Sequence, residues 1–159
     1  VLPLAAVLSG LVDFVVTLAV LFLMMACYGV TPGWQVLAVP LFALLAIVAA
    51  MAIGTWLAAL SAIYRDFGQV EGVLIRIGMY LTPVAYTTAS IAHLMPSWAR
   101  AIYQINPMAQ AVEGFRWALF PGADPPGAYL AYSLALVMVL LAGGLQVFRR
   151  MEGTVIDMV

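Results

Sequence analysis

Charge is scarce in this chain. Its 159 residues include six Arg, no Lys and seven acids, so charged residues make up 8%, against about a quarter in soluble domains. A water-soluble fold cannot hide a composition that is 66% hydrophobic; long apolar runs against such a background point to a membrane protein. With a net charge of −1 and no basic cluster, nothing neutralises a phosphate backbone, which excludes nucleic acid as a partner. Cysteine and histidine are equally sparse. Cys27 stands alone inside an apolar run; it supports neither a disulfide framework nor a metal site and reads as a small apolar filler. His93, the single histidine, has no second His, Cys or acid at ligand spacing, so no metal is expected and an interfacial polar role fits it. Ser/His chemistry lacks its G-x-S-x-G elbow. No stretch reads G-x-x-x-x-G-K-[ST], so no nucleotide phosphate is cradled here. The expectation is a chain with no catalytic residues and no cofactor of its own. It begins at Val1 within an apolar segment, without Met or a charged leader, and reads as a fragment lacking an N-terminal part.

Apolar runs are what the chain has in abundance. A helix needs about 20 apolar residues to cross the hydrocarbon core, and four stretches meet that length: 4–28, despite Asp13; 36–63, with Pro40 in its first turns; 70–92; and 128–148. Pro83 divides the third, which is expected to kink or break there, with neighbouring groups satisfying the freed carbonyl. Gly143 and Gly144 in the last span allow close helix contact. Four of the six Arg lie toward one side: Arg65 in the linker between spans two and three, Arg76 early in span three, and Arg149 and Arg150 at the end of span four. By the positive-inside rule that side faces the cytoplasm. The region 93–127 then lies outside. It is too charged for a lipid-facing span and too apolar for a solvent loop. Pro96 fits the first turn of one short helix, about 96–105. Asn106 followed by Pro107 caps a second, about 107–120. Met108, Val112, Phe115 and Leu119 recur at helical spacing as an apolar stripe, with Gln110, Glu113 and Trp117 on another face. Both helices fit the outer membrane boundary or a shallow dip into it. The fold class is therefore all-α: a polytopic helical membrane protein of about four transmembrane helices plus two short extracytoplasmic amphipathic ones.

Read in order, "LVDF" (11–14), "YG" (28–29), "YRDFGQV" (64–70), "YLTPVAY" (80–86), "INPMAQAVEGFRWALF" (105–120) and "FRRMEGTVID" (148–157) resemble the permease subunit of ABC-2 type transporters. The similarity is strongest to the branch exporting polysaccharides: O-antigen, capsule and teichoic-acid precursors. It covers the whole chain. The resemblance implies six spans in the complete permease, of which these would be the last four; the N-terminal interface helix, the first two spans and the coupling helix are missing from this sequence. It also implies a homodimer of permeases in the bacterial inner membrane. An ABC ATPase partner would carry ATP and Mg, and the substrate would be a lipid-linked glycan. On this reading 93–127 is external and its two helices form part of the outer gate.

Each candidate residue has a plain reading beside the functional one. Glu113 and Arg116, three apart, form either a boundary ion pair or a gating or substrate contact. Trp98, Tyr103, Phe115 and Trp117 would stack on sugar rings at the gate, or belong to the interfacial aromatic belt. Tyr80 and Tyr86, with Thr82, Thr87 and Thr88, suit a hydrated sugar pathway beside Pro83, or repair of the kink by hydroxyls. Asn106 enters as cap and gate residue. Asp13 calls for a structural partner or a place near the headgroups. Tyr64, Arg65, Asp66 and Phe67 form either a solvated turn or the contact with the ATPase subunit or inner gate. Arg149, Arg150 and Glu152 mark the end of the last helix. The alternatives to glycan export are an ABC-2 exporter of a drug or lipid, and a membrane scaffold that transports nothing.

Overall fold

The computed structural model describes residues 2–64, 66–84, 86, 90 and 95–156, with side chains at 10 and 12–147 within that set. Arg65, Thr87, Thr88 and His93 lie outside the described residues, as do the side chains of Arg149, Arg150 and Glu152. The described elements are all helical: α1 (Leu2–Cys27), a 3₁₀ turn (Trp34–Ala38), α2 (Val39–Ile63), α3 (Phe67–Leu81), α4 (Ser97–Ile105), α5 (Pro107–Leu119) and α6 (Tyr129–Ile156).

α1 stops at a glycine. Gly29 adopts φ +70°, the Val30 N–H donates to Met25 O and the Gly29 N–H to Ala26 O, a pair of bonds that closes the last turn. Cys27 is exposed at the last residue of this helix and fills no core space, a correction to its expected role. α2 starts over Pro40, whose missing N–H has no partner to lose in a first turn.

α2 is the central helix. Val39, Phe42, Leu45, Ala49, Ala52 and Ala59 recur three, four or seven residues apart and are all buried, packing against α6, α5 and the 3₁₀ turn. From α1, Leu18, Leu21, Phe22 and Met25 reach the same core. Lipid chains are as apolar as leucine, so apolar area alone does not hold such helices together; close contact and interhelical hydrogen bonds do. Both are present. A Cβ on Gly143 would stand 3.1 Å from Trp56, and one on Gly144 would strike Thr55, so the glycine pair lets α6 approach α2 as its sequence suggested. Trp56 Nε1 donates to Leu140 O at 2.8 Å, and the buried Ser133 Oγ donates to Ile105 O at 2.8 Å.

Two stretches, Trp34–Ile63 and Tyr129–Val147, are long and apolar enough to cross a bilayer. The expected third span takes another form. α3 has 15 residues, about 22 Å at 1.5 Å per residue, and ends at Leu81, just ahead of Pro83. The chain breaks where the proline stands.

α5 departs from the sequence reading. The apolar stripe of Met108, Val112, Phe115 and Leu119 is only part of its inward surface: Leu119 is buried and Met108 and Phe115 pack against the core, but the other buried positions are Pro107, Ala109, Gln110, Ala111, Gly114 and Ala118. Small residues face α2 because the helix packs into the bundle instead of floating on its boundary. The large side chains spread to the flanks. Gln110, expected on a polar face, is 8% exposed; its amide donates to Gln104 O at 2.8 Å, which satisfies it.

Candidate functional site

The break after α3 exposes carbonyls that a continuous helix would satisfy. Several of them, and two carbonyls just beyond, have found donors. The Thr82 hydroxyl donates to Gly78 O at 2.9 Å and the Thr82 N–H to Met79 O; Thr82 itself is 9% exposed. The Tyr86 hydroxyl donates to Tyr80 O at 2.8 Å. Arg116 reaches across from α5: its Nη2 donates to Pro83 O at 2.6 Å and to Val84 O at 3.0 Å. Its Nη1 meets Glu113 Oε1 at 3.2 Å. The expected ion pair thus exists, but its cation also serves the broken helix. A guanidinium presents its donors as a planar fork, and an ammonium could not hold a carboxylate and two carbonyls in this way.

The local sequence dictates why Arg116 points there. Asn106 caps α5, its Oδ1 accepting from the Met108 N–H at 3.0 Å, and Pro107 follows in the first turn. With α5 so started, Gly114 and Ala118 face α2, which turns Glu113 and Arg116 toward α3. Asn106→Ala is expected to lower the melting temperature of the purified permease, by about 0.5–2 kcal/mol of stability.

Tyr86 also stacks on Tyr103, with ring centroids 6.5 Å apart and planes at 29°. Tyr103 is buried. Burial pushes this phenol above its ordinary range, and neighbouring Tyr86 and Glu113 push the same way against Arg116; it stays neutral at physiological pH. Beside it opens a cleft of about 550 Å³ walled by Leu81, Trp98, Ile102, Tyr103 and Leu136. Trp98 and Tyr80 are exposed.

The other two gate aromatics stand elsewhere. Phe115 packs on Phe14 (5.7 Å between centroids) and Phe42 (6.3 Å). Trp117 meets Trp34 and Phe42 edge to face, at 88° and 81°. So the structure brings Tyr80, Tyr86, Tyr103, Glu113 and Arg116 together at the break, with Trp98 and Asn106 on the adjoining cleft, and sets Phe115 and Trp117 in a packing cluster. Four contributors were not foreseen from sequence: the carbonyls of Pro83 and Val84 as acceptors for Arg116, Trp34, and Gly114. The spacing of Ala111, Gly114 and Ala118 was the available signal for the last.

At the opposite end of α3, Tyr64 and Asp66 are exposed and Phe67 is half-buried. The Phe67 N–H donates to Tyr64 O, and Ser61 Oγ donates to Glu71 Oε2 at 3.3 Å, tying α3 to α2. The carboxylate of Asp13 is exposed, and its main-chain carbonyl accepts from the Thr17 hydroxyl.

An apolar helical bundle with an interrupted helix, polar groups gathered at the interruption and short helices packed beside it is a membrane protein of the transporter kind. This chain belongs to the ABC-2 type transporter family, whose model matches residues 2–120. It is similar to the O-antigen export system permease protein RfbA of Myxococcus xanthus, 27% identical over 141 residues, covering 86% of this chain and 54% of that protein. It is also similar to the protein of the same name from Klebsiella pneumoniae, 25% identical over 153 residues, covering 96% of this chain and 57% of that one. The chain spans about half the length of the curated relatives it matches. Both relatives carry the name of a permease, a transport component.

Proposed function

We propose that this chain supplies part of the permease of an ABC exporter that moves a lipid-linked polysaccharide across the bacterial inner membrane. Two permease copies enclose the pathway, and a separate ATPase subunit carries ATP and Mg. ATP binding closes the ATPase pair, the motion passes through the turn at Tyr64–Phe67 to α3, and the outer end opens. α1, α2 and α6 each make a crossing, and α3 begins the fourth, expected over 70–92, part of which lies outside the described residues. α4 and α5 form the outer gate. The observation that carries this reading is the broken α3, whose end is held by the α5 helix; the similarity to O-antigen permeases supports the glycan as cargo. The apolar walls of the 550 Å³ cleft favour a second reading, export of a drug or lipid.

The test uses the full-length permease with its ATPase in a strain lacking its own exporter. Surface glycan is expected to return with the intact pair and to stay absent with an ATPase unable to hydrolyse ATP. Topology is checked in a Cys27→Ser background. Asp124→Cys is expected to react with a membrane-impermeant maleimide in intact cells, and Asp66→Cys only after permeabilisation. Labelling of Asp124→Cys from the cytosolic side alone would remove the gate reading.

A further inference from the structure

We propose that Arg116 is a positioning residue that clasps the free end of α3 against α5, and that this clasp must open before cargo leaves. The inference rests on the export reading above and adds the part that moves.

The two halves of the clasp are anchored very differently. α5 is fixed in the bundle: its Ala111, Gly114 and Ala118 are buried, and Gly114 lies directly on the Phe42 ring. α3 has no buried residue along its whole length. It is tied down at its ends. At the first end stand the turn from α2 and the Ser61–Glu71 bond. At the other stand the two bonds from Arg116 to Pro83 O and Val84 O, with the Tyr86–Tyr103 stack beyond them. A rigid helix held in this way is a lever hinged near Phe67 and clasped near Pro83. The cleft has Leu81 on one wall and Trp98, Ile102 and Leu136 on others, which gives the clasped end room to move.

The chemistry of the clasp suits reversible opening. Its acceptors are neutral carbonyls at a helix C-terminal end, where a cation is favoured and water can replace it. Glu113 stays three residues from Arg116 on the same rigid helix, so it keeps the guanidinium oriented whether the clasp is open or closed. Both terminal nitrogens of Arg116 are engaged, so its role needs no contact with cargo.

The test uses the full-length permease with its ATPase in lipid nanodiscs, where both faces are open to reagent and ATP, with Cys27→Ser and the reporter Thr82→Cys, a position buried beside the clasp. Reaction with a membrane-impermeant maleimide is followed with and without ATP. Without ATP the reporter is expected to react slowly. Arg116→Gln is expected to raise the ATP-free rate roughly ten- to a hundredfold, the equivalent of losing a charge-assisted bond. Arg116→Lys, which keeps the charge but loses the fork, falls between them and carries the comparison where Arg116→Gln is not inserted. ATP should raise the rate of the intact protein toward that of the variant. Equal ATP-free rates in the parent and both variants overturn the clasp. Faster labelling in the variants of a permease that exports no glycan upholds the clasp and overturns the glycan reading alone.

Discussion

Gly114→Val is expected to remove folded permease from the membrane fraction, the largest effect of any single change considered. A Cβ at this position would stand 2.6 Å from Phe42 Cγ and closer still to two other ring carbons. Flexible side chains can swing away from such an intrusion. Phe42 cannot, because it is 2% exposed and its ring is held by Phe115 and Trp117. Overpacking a core costs about 1–3 kcal/mol where neighbours give way, and here α5 would have to lift off α2. Because α5 also carries Arg116, the displacement would reach the broken end of α3. Gly114→Ala is expected to survive with a lower melting temperature. Phe42→Ala should rescue Gly114→Val in part, since the missing ring leaves room for the added methyls; the coupling is read from a double-mutant cycle. A Gly114→Val protein that melts with the parent would refute this packing.

What the sequence disclosed was local. Asn106 and Pro107 announce a helix start through bonds made within two residues, Pro83 ends α3 because it has no N–H, and Glu113 and Arg116 pair because a helix puts them on one side. These follow from covalent structure and helical geometry. The buried face of α5 was not legible, for a reason particular to membranes. In water an apolar stripe marks the buried side, but beside lipid the exposed side is apolar too, so hydropathy loses its direction and residue size replaces it. The stripe of Met108, Val112, Phe115 and Leu119 was visible as apolar but not as facing lipid or protein, while the small residues Ala111, Gly114 and Ala118 are the ones buried in the bundle. The Arg116 bonds to Pro83 and Val84 join residues 33 and 32 apart, and their acceptors are main-chain atoms, which no side-chain pattern can announce. The end of α3 was visible; its partner was not.

The same distinction bears on Trp117, which sequence alone allows to be either a sugar platform or a boundary residue. In the structure it fills the angle between Trp34 and Phe42 with two edge-to-face contacts. Trp117→Ala is therefore expected to lower the stability of the purified permease, by about 1–3 kcal/mol for the two ring pairs together. This is less than the roughly 3–5 kcal/mol of a fully buried aromatic, because Trp117 is only half-buried. Export should fall in step with the amount of folded protein. Trp117→Phe keeps a ring between the same neighbours and should restore most of both. A platform for sugar behaves otherwise: its loss cuts export while the melting temperature stays put, and phenylalanine, lacking the indole N–H, does not restore full transport. The same comparison at Trp98, exposed on the cleft, should give that second pattern if glycan passes there. A ring already packed between Trp34 and Phe42 has less surface left for cargo than one that stands free, so the two tryptophans should separate stability from transport in opposite ways.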